Sequence, residues 1–535
     1  MTEGLKTTLQ LLATTSNEAA VRVLVPGLDS LNAGIREGAL SAILSRRSPA
    51  GHREVLRRLH TADERSRAII EERRGRMTQA LRDAILSGDG RLCVNGCRAA
   101  VWFREYDLIP ALINVLEDHS SPNGELAGTT LVELVNLLYT ELADAHETSR
   151  RRDPELVRRY VIGGLERSIE RFSSHRRREI LEAYLLLVGR DSAVLKRVLN
   201  DPHHAAFLVL VDVLSKSNAA GVIGLLLAFL DDPRAPSSAL AVVAKRSDLR
   251  FIRYLLRKIG HEPSTAVRQN LKRIESVPWL EHGAAVLDHL DDARQHAAVR
   301  LAMTSGVPRT QVFCVVKDLL LNGKPGGRRA AANALSEFNG AEANALVLKA
   351  LEDRDPHVLA GALVQLRRRG ILGALPRLVE MVDSEHAVVR RAARTSLDEF
   401  TFQRFLAAFD MLDEEVRRST GTLVKKVDPQ TIPQLKAEIQ SHMRTRRLRG
   451  LMIAQVIGAV EPLEETIAGL IHDEDHMVRA EAVKALRGGR LSASRQALEE
   501  ALSDPSATVQ EAARAILRER ARRCDLRRPR FDPGA

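Results

Sequence analysis

The sequence predicts an all-α fold, an α-solenoid (superhelix) of stacked helical hairpins with about 30–31 residues per repeat. Three observations predict it. A short motif recurs through the last three hundred residues, each copy reads as two amphipathic helices, and a turn rich in Asp and Pro separates the two.

The motif is clearest in Val478 to Leu486, Val509 to Leu517 and Val389 to Leu397. Each copy opens on an apolar residue, places a small residue four later and an apolar residue eight later. Gly327 to Leu335 and Val358 to Leu366 follow the same scheme, with Ala331 and Ala362 at the small position. Ala239 fills it in the unit that starts at Ala235. Anchoring each unit on its first position gives 204, 235, 266, 295, 327, 358, 389, 416, 448, 478 and 509, with steps between 27 and 32. The placements at 204, 266, 295 and 448 are the loosest.

The first helix of a unit shows apolar residues at helical spacing, as in Leu375, Leu378 and Met381. The turn follows, as in Asp201-Pro202, Asp232-Pro233, Glu262-Pro263, Asp355-Pro356 and Asp504-Pro505. Asp caps the free amides of the next helix, and Pro lacks an amide that the first turn leaves unbonded anyway. The small residue of the second helix lets neighbours approach. Hairpins this short bury their apolar faces only by stacking on one another.

The pattern D-x-x-x-x-V-R-x-x-A-x-x-A-L, best matched by Asp473 to Leu486 and nearly by Asp504 to Leu517, resembles a HEAT repeat. The period is shorter than the roughly 40–47 residues of HEAT and armadillo arrays and is similar to short bacterial-type HEAT-like repeats. The resemblance covers about residues 195–520 and implies an armadillo-like stack that binds partners, not a particular chemistry.

The chain therefore divides into irregular N-terminal helical repeats at 1–142, a polar loop or insertion at 143–156, a degenerate helical repeat at 157–194, the regular array at 195–520 and a basic, disordered tail at 521–535. In the N-terminal part, Ile35 to Leu40 reads as one second helix, and Leu86 to Ala100 aligns with Leu502 to Ile516. Leu116 to Leu131 offers another unit.

Composition narrows the function classes. Lys and Arg number 80 against 69 Asp and Glu, a net charge of +11. That favours acidic partners without choosing among them. Four cysteines in 535 residues do not make a disulfide scaffold. The longest apolar run, Ala219 to Leu230, falls short of the roughly 20 residues of a membrane span and reads as a core helix. No signal peptide is legible, and the expected location is cytoplasmic.

Few residues suggest chemistry. Cys93 and Cys97, four apart, could give half of a zinc site, but the repeat alignment puts both at packing positions. His472-Asp473-Glu474-Asp475-His476 is dense in metal-ligand types, yet falls where the repeat places its capping acid. Gly323-Lys324-Pro325-Gly326-Gly327 lacks the strand and the Lys-Ser/Thr pair of a phosphate loop and reads as a glycine-rich turn. Trp102-Phe103 and Trp279 read as core. No catalytic, cofactor-binding or metal residue is assigned.

Two sets remain as candidate partner-binding residues. Phe402, Phe405 and Phe409 share one helical face, either packed in the core or exposed as an aromatic groove. Arg328, Arg390, Arg417, Arg449 and Arg479 hold the second position of their second helices. Stacked at about 10 Å, they form either a positive groove or, as the HEAT resemblance implies, an internal ladder paired with turn acids. The expected function is a non-catalytic scaffold or adaptor that binds a protein partner, acidic in character, on its concave surface. The alternative is a nucleic-acid-binding protein. A DNA glycosylase would need base-stacking aromatics, which two Trp and five Tyr barely supply. A bilin-lyase-like role rests on repeat type alone.

Overall fold

In a computed structural model, residues 3–143, 153–260, 262–281 and 284–526 are described. Every regular element among them is helical. The chain forms two compact units, Met1–Asp318 and Leu319–Ala535, divided inside helix Arg309–Asn322.

The first unit is paired helices almost from its start. Ala19–Leu28 packs on Ala33–Arg46, Thr78–Ile85 on Gly90–Phe103, Ile109–Glu117 on Gly124–Ala143, and Pro154–Glu170 on Arg178–Leu187. First helices pack on first helices and second on second, so the stacking expected of the regular array already operates here. What the N-terminal third lacks is the even step and the Asp-Pro turn, not the hairpin. Of the polar stretch 143–156, residues 144–152 lie outside the described residues. Ala143 ends one helix and Pro154 begins the next, with the Asp153 side chain accepting from the Glu155 amide at 2.9 Å.

The second unit pairs its helices as the motif predicts, although the expected anchor Val416 is exposed. In chain order the hairpins are Ala341–Ala350 with Pro356–Leu363, Ala374–Met381 with Ala387–Ser396, Phe402–Ala408 with Glu414–Val427, Thr431–Ile439 with Arg444–Val456, Val460–Gly469 with His476–Ala485, and Ser492–Glu500 with Ala507–Leu526. Pro325–Ala334 precedes them as another second helix. The last helix runs into the basic segment 521–535, of which 527–535 lie outside the described residues.

The expected turn is realised at Asp355-Pro356, whereas Asp201, Asp232 and Asp504 bond the amide two residues on, ahead of helices that begin only at Phe207, Ser237 and Ala507. Asp355 accepts from the His357 amide at 2.9 Å and Pro356 takes the first helical position. Asp475 accepts from the amides of Met477 and Val478. The anchors Val358, Val389, Val478 and Val509 are buried, as are the small residues Ala331, Ala362, Ala393, Ala482 and Ala513. Each buried valine contributes about 1.5–3 kcal/mol, and none of it is available to an isolated hairpin.

One junction differs. Second helices of neighbouring repeats pack side by side from Pro325–Ala334 to Ala387–Ser396, and again from Glu414–Val427 to Ala507–Leu526. Between Ala387–Ser396 and Glu414–Val427 the contact is marginal at most, and Glu414–Val427 leans on the first helix Ala374–Met381. From Phe402 to Ile516 the buried residues form one continuous core.

No single helix among the described residues is long and apolar enough to cross a membrane. Ala220–Phe229, within the longest apolar run, is largely buried, and it bends by 108° from its apolar neighbour Phe207–Lys216.

Candidate functional site: the arginine ladder

The five candidate arginines fall on the second helices of the second unit, and their geometry sorts them. Arg479 donates from Nη1 to the carbonyl oxygens of Asp473 and Glu474 in its own turn, at 2.8 and 3.2 Å. Its Nε and Nη2 grip the Asp504 carboxylate of the next turn at 2.7 and 3.0 Å. Arg328 repeats the arrangement, with Gly323 O at 3.0 Å and Asp353 at 2.8 and 3.2 Å. Each grasped aspartate also accepts an amide two residues on, Asp355 N for Asp353 and Ser506 N for Asp504. One side chain thus shapes its own turn and locks it to that of the next repeat. The Arg479 guanidinium, overriding the cost of burial, holds the Asp504 carboxyl below the usual carboxylate range.

The third complete rung belongs to Arg447, not to the expected Arg449. Arg447 donates to Ser441 O and His442 O at 3.0 and 2.9 Å and pairs with Asp473 at 2.9 Å. Arg449 points the other way, to the Leu406 carbonyl and to Asp410 at 3.1 Å. The anchor of this unit is therefore Arg446 rather than Leu448. Arg417 stays within its own hairpin, bonding Phe409 O and Asp410 O at 2.6 and 3.1 Å, with its guanidinium 4.7 Å from the Phe409 ring centre.

Arg390 makes half a rung. Its Nη1 donates to Ser384 O and Glu385 O, both at 2.8 Å, as in Arg479 and Arg447. Its Nε and Nη2 meet no acid among the described residues. The next turn, around Asp410-Met411-Leu412-Asp413, belongs to the repeat that fails to pack squarely on this one.

The aromatic candidates are not a groove. Phe402, Phe405 and Phe409 are 1%, 3% and 1% exposed, and Phe405 meets Phe409 edge to face with ring centres 5.6 Å apart. They belong to the buried core that runs on to Ile516. Gly421 of helix Glu414–Val427 lies against Phe405 and Ile457, where a side chain has no room.

The remaining chemical candidates resolve into structure. Asp473 and Asp475 of the histidine-flanked cluster are a ladder acid and a helix cap, and Asp475 also pairs with Arg444 at 2.9 Å. No group of three metal-ligating side chains occurs among the described residues. Cys93 and Cys97 are both buried, and the hydrogen bond between them, with burial adding to it, raises the Cys93 thiol. The glycine-rich segment opens helix Pro325–Ala334 and lends Arg328 a carbonyl.

In the first unit, arginines that the motif did not single out cap open helix ends. The buried Arg246 donates to Leu214 O and Ser217 O at 3.0 and 2.9 Å and pairs with Asp248 at 2.9 Å. Arg46 likewise closes the open carbonyls of Leu12 and Thr15, both at 2.6 Å. These are helix C-terminal carbonyls satisfied from a neighbouring element.

Comparison with known proteins agrees with this repeat geometry. Residues 315–398 match the family described as HEAT repeats, so this stretch of the chain carries HEAT repeats. A solved structure described as "A conserved phosphorylation switch controls the interaction between cadherin and beta-catenin in vitro and in vivo" is similar at 15% identity, covering 94% of this chain and 99% of that one, with a TM-score of 0.34. A crystal structure of an engineered protein is similar at 16% identity over 93% and 98%, with a TM-score of 0.17. Both scores are too low to carry an argument. No curated protein matches the chain.

Proposed function

We propose that the chain is a non-catalytic HEAT-repeat scaffold that binds a protein partner along the surface of its second helices. The observation that carries this reading is a set of exposed methionines in consecutive repeats of the second unit. Met411, Met443, Met452 and Met477 all stand open to solvent, Met411 at 89%. They lie in or beside the turns and second helices of consecutive repeats, Met443 and Met477 beside turns that complete rungs tie together. A flexible, polarisable side chain on a fixed frame suits apolar contact with a partner of adaptable shape. Half of the chain's eight methionines lie in this short stretch, where an ordinary solvent-facing turn would be polar.

The test is affinity capture with the full chain at about 50 and 200 mM salt, the range over which phosphate contacts weaken steeply. A scaffold retains the same protein at both. Replacing Met411, Met443, Met452 and Met477 by serine releases it while helicity is kept. Retention that survives the fourfold replacement overturns the reading. Co-purified nucleic acid that leaves at the higher salt supports the alternative drawn from the net charge of +11.

A further inference from the structure

In the second helices of the second unit, the position after the small residue is buried in most repeats, as Ala332, Leu363, Gly421, Leu451 and Val483. In the last hairpin among the described residues it holds Arg514. The helix Ala387–Ser396 also holds an arginine there, Arg394. The Nε of Arg394 is buried without a hydrogen-bond partner among the described residues. Arg390, with its unmatched Nε and Nη2, lies one helical turn away on the same face. The following second helix, Glu414–Val427, makes at most marginal contact with this one.

We propose that Arg390 and Arg394 form a receptor for the carboxylates of an acidic segment of a partner protein, a site that rests on the scaffold reading and gives it a chemistry. The molecule itself shows what fits. Where the rung is complete, the guanidinium set by turn carbonyls takes an aspartate on its Nε–Nη2 edge, in Arg328, Arg447 and Arg479 alike. Arg390 is held by the same carbonyl clamp, so its fork is oriented in advance and loses little freedom on binding. A planar carboxylate meets that fork with two parallel hydrogen bonds. A second acid, one turn along a bound helix, reaches Arg394. Acids close by in the sequence do not already fill the role: Glu414 pairs with Arg418 at 3.0 Å, and Asp383 with Lys426 at 2.7 Å.

The probe is a short fluorescein-labelled helical peptide carrying Asp pairs four residues apart, titrated with the full chain and read by anisotropy. Wild type binds it. Arg390→Ala and Arg394→Leu each weaken binding by at least about tenfold, the loss of one charge-assisted bidentate contact. Leucine is the residue that Leu363 and Leu451 place at the position of Arg394, so that variant folds and melts no earlier than wild type. Arg328→Ala, a rung already filled, melts earlier but binds as wild type does. The proposal is overturned if wild type ignores the peptide, if both receptor variants bind undiminished, if Arg328→Ala loses as much, or if an oligonucleotide of equal charge displaces the peptide. Failure of the peptide alone, with methionine-dependent capture intact, removes the receptor and leaves the scaffold.

Discussion

Arg479→Ala is the sharpest test of the ladder. The pair it breaks is well shielded, with the Arg479 and Asp504 side chains 14% and 7% exposed. Truncation removes two bonds to the carboxylate and two to the turn carbonyls. It leaves the Asp504 carboxylate with the Ser506 amide and little water. Breaking a buried pair from one side costs about 3–5 kcal/mol, and the residual exposure of Arg479 trims this to about 2–4. For a unit of this size each kcal/mol moves the melting point by roughly 2–4 °C, so a fall of about 4–16 °C is expected by differential scanning calorimetry. Asp504→Ala falls comparably. The double variant recovers part of the loss, because no buried charge remains unpaired, and the coupling energy is about 1–3 kcal/mol. The exposed pair Arg418 and Glu414, treated the same way, changes stability by less than about 0.5 kcal/mol and the melting point by less than about 2 °C. A shift of Arg479→Ala no larger than that of Arg418→Ala, or strict additivity in the cycle, refutes the ladder as a structural bond.

Two further predictions use backbone space and protons. Gly421→Ala puts a methyl 2.9 Å from Phe405 Cζ and against Ile457, and destabilises by about 1–3 kcal/mol in urea unfolding. Gly224→Ala, inside helix Ala220–Phe229 with nothing within 4 Å, stabilises by about 0.5–1 kcal/mol instead. Acid should loosen the ladder: Arg479 depresses the Asp504 carboxyl, and Arg446 depresses that of Glu438. A carboxyl lowered by folding lends stability that is full above its unfolded value near about 4 and disappears as pH falls through the folded one. The melting point should therefore be flat from neutrality to about pH 5 and drop steeply below about pH 4, with a shallower drop in Asp504→Asn.

How much the sequence discloses depends on how local the cause is. The turn at Asp355-Pro356 and the small residues at Ala362 and Ala482 are legible because capping and close approach are set by a few neighbouring residues. The N-terminal hairpins are harder to see, since their turns lack that signature although the helices pair in the same way. The wrong choice of Arg449 over Arg447 has a simple origin. Arg444-Thr445-Arg446-Arg447-Leu448-Arg449 offers four arginines, and only the two-carbonyl clamp selects among them. The phenylalanines of 402–409 could be read as core or groove because a helix face shows what is apolar but not what covers it. Arg394 is within reach of the sequence: comparison with Ala332, Leu363, Leu451 and Val483 at the corresponding position sets it apart, together with Arg514.

Each complete rung ties a turn only to its immediate successor, as Asp473 is held by Arg447 and Asp504 by Arg479. Under tension from the C-terminal end, such a unit has no bond long enough in sequence to make it yield all at once. It would pay out one hairpin at a time, each release freeing about 100 Å of chain at about 3.3 Å per residue. The earliest large slip away from that end would come where Ala387–Ser396 and Glu414–Val427 already stand apart.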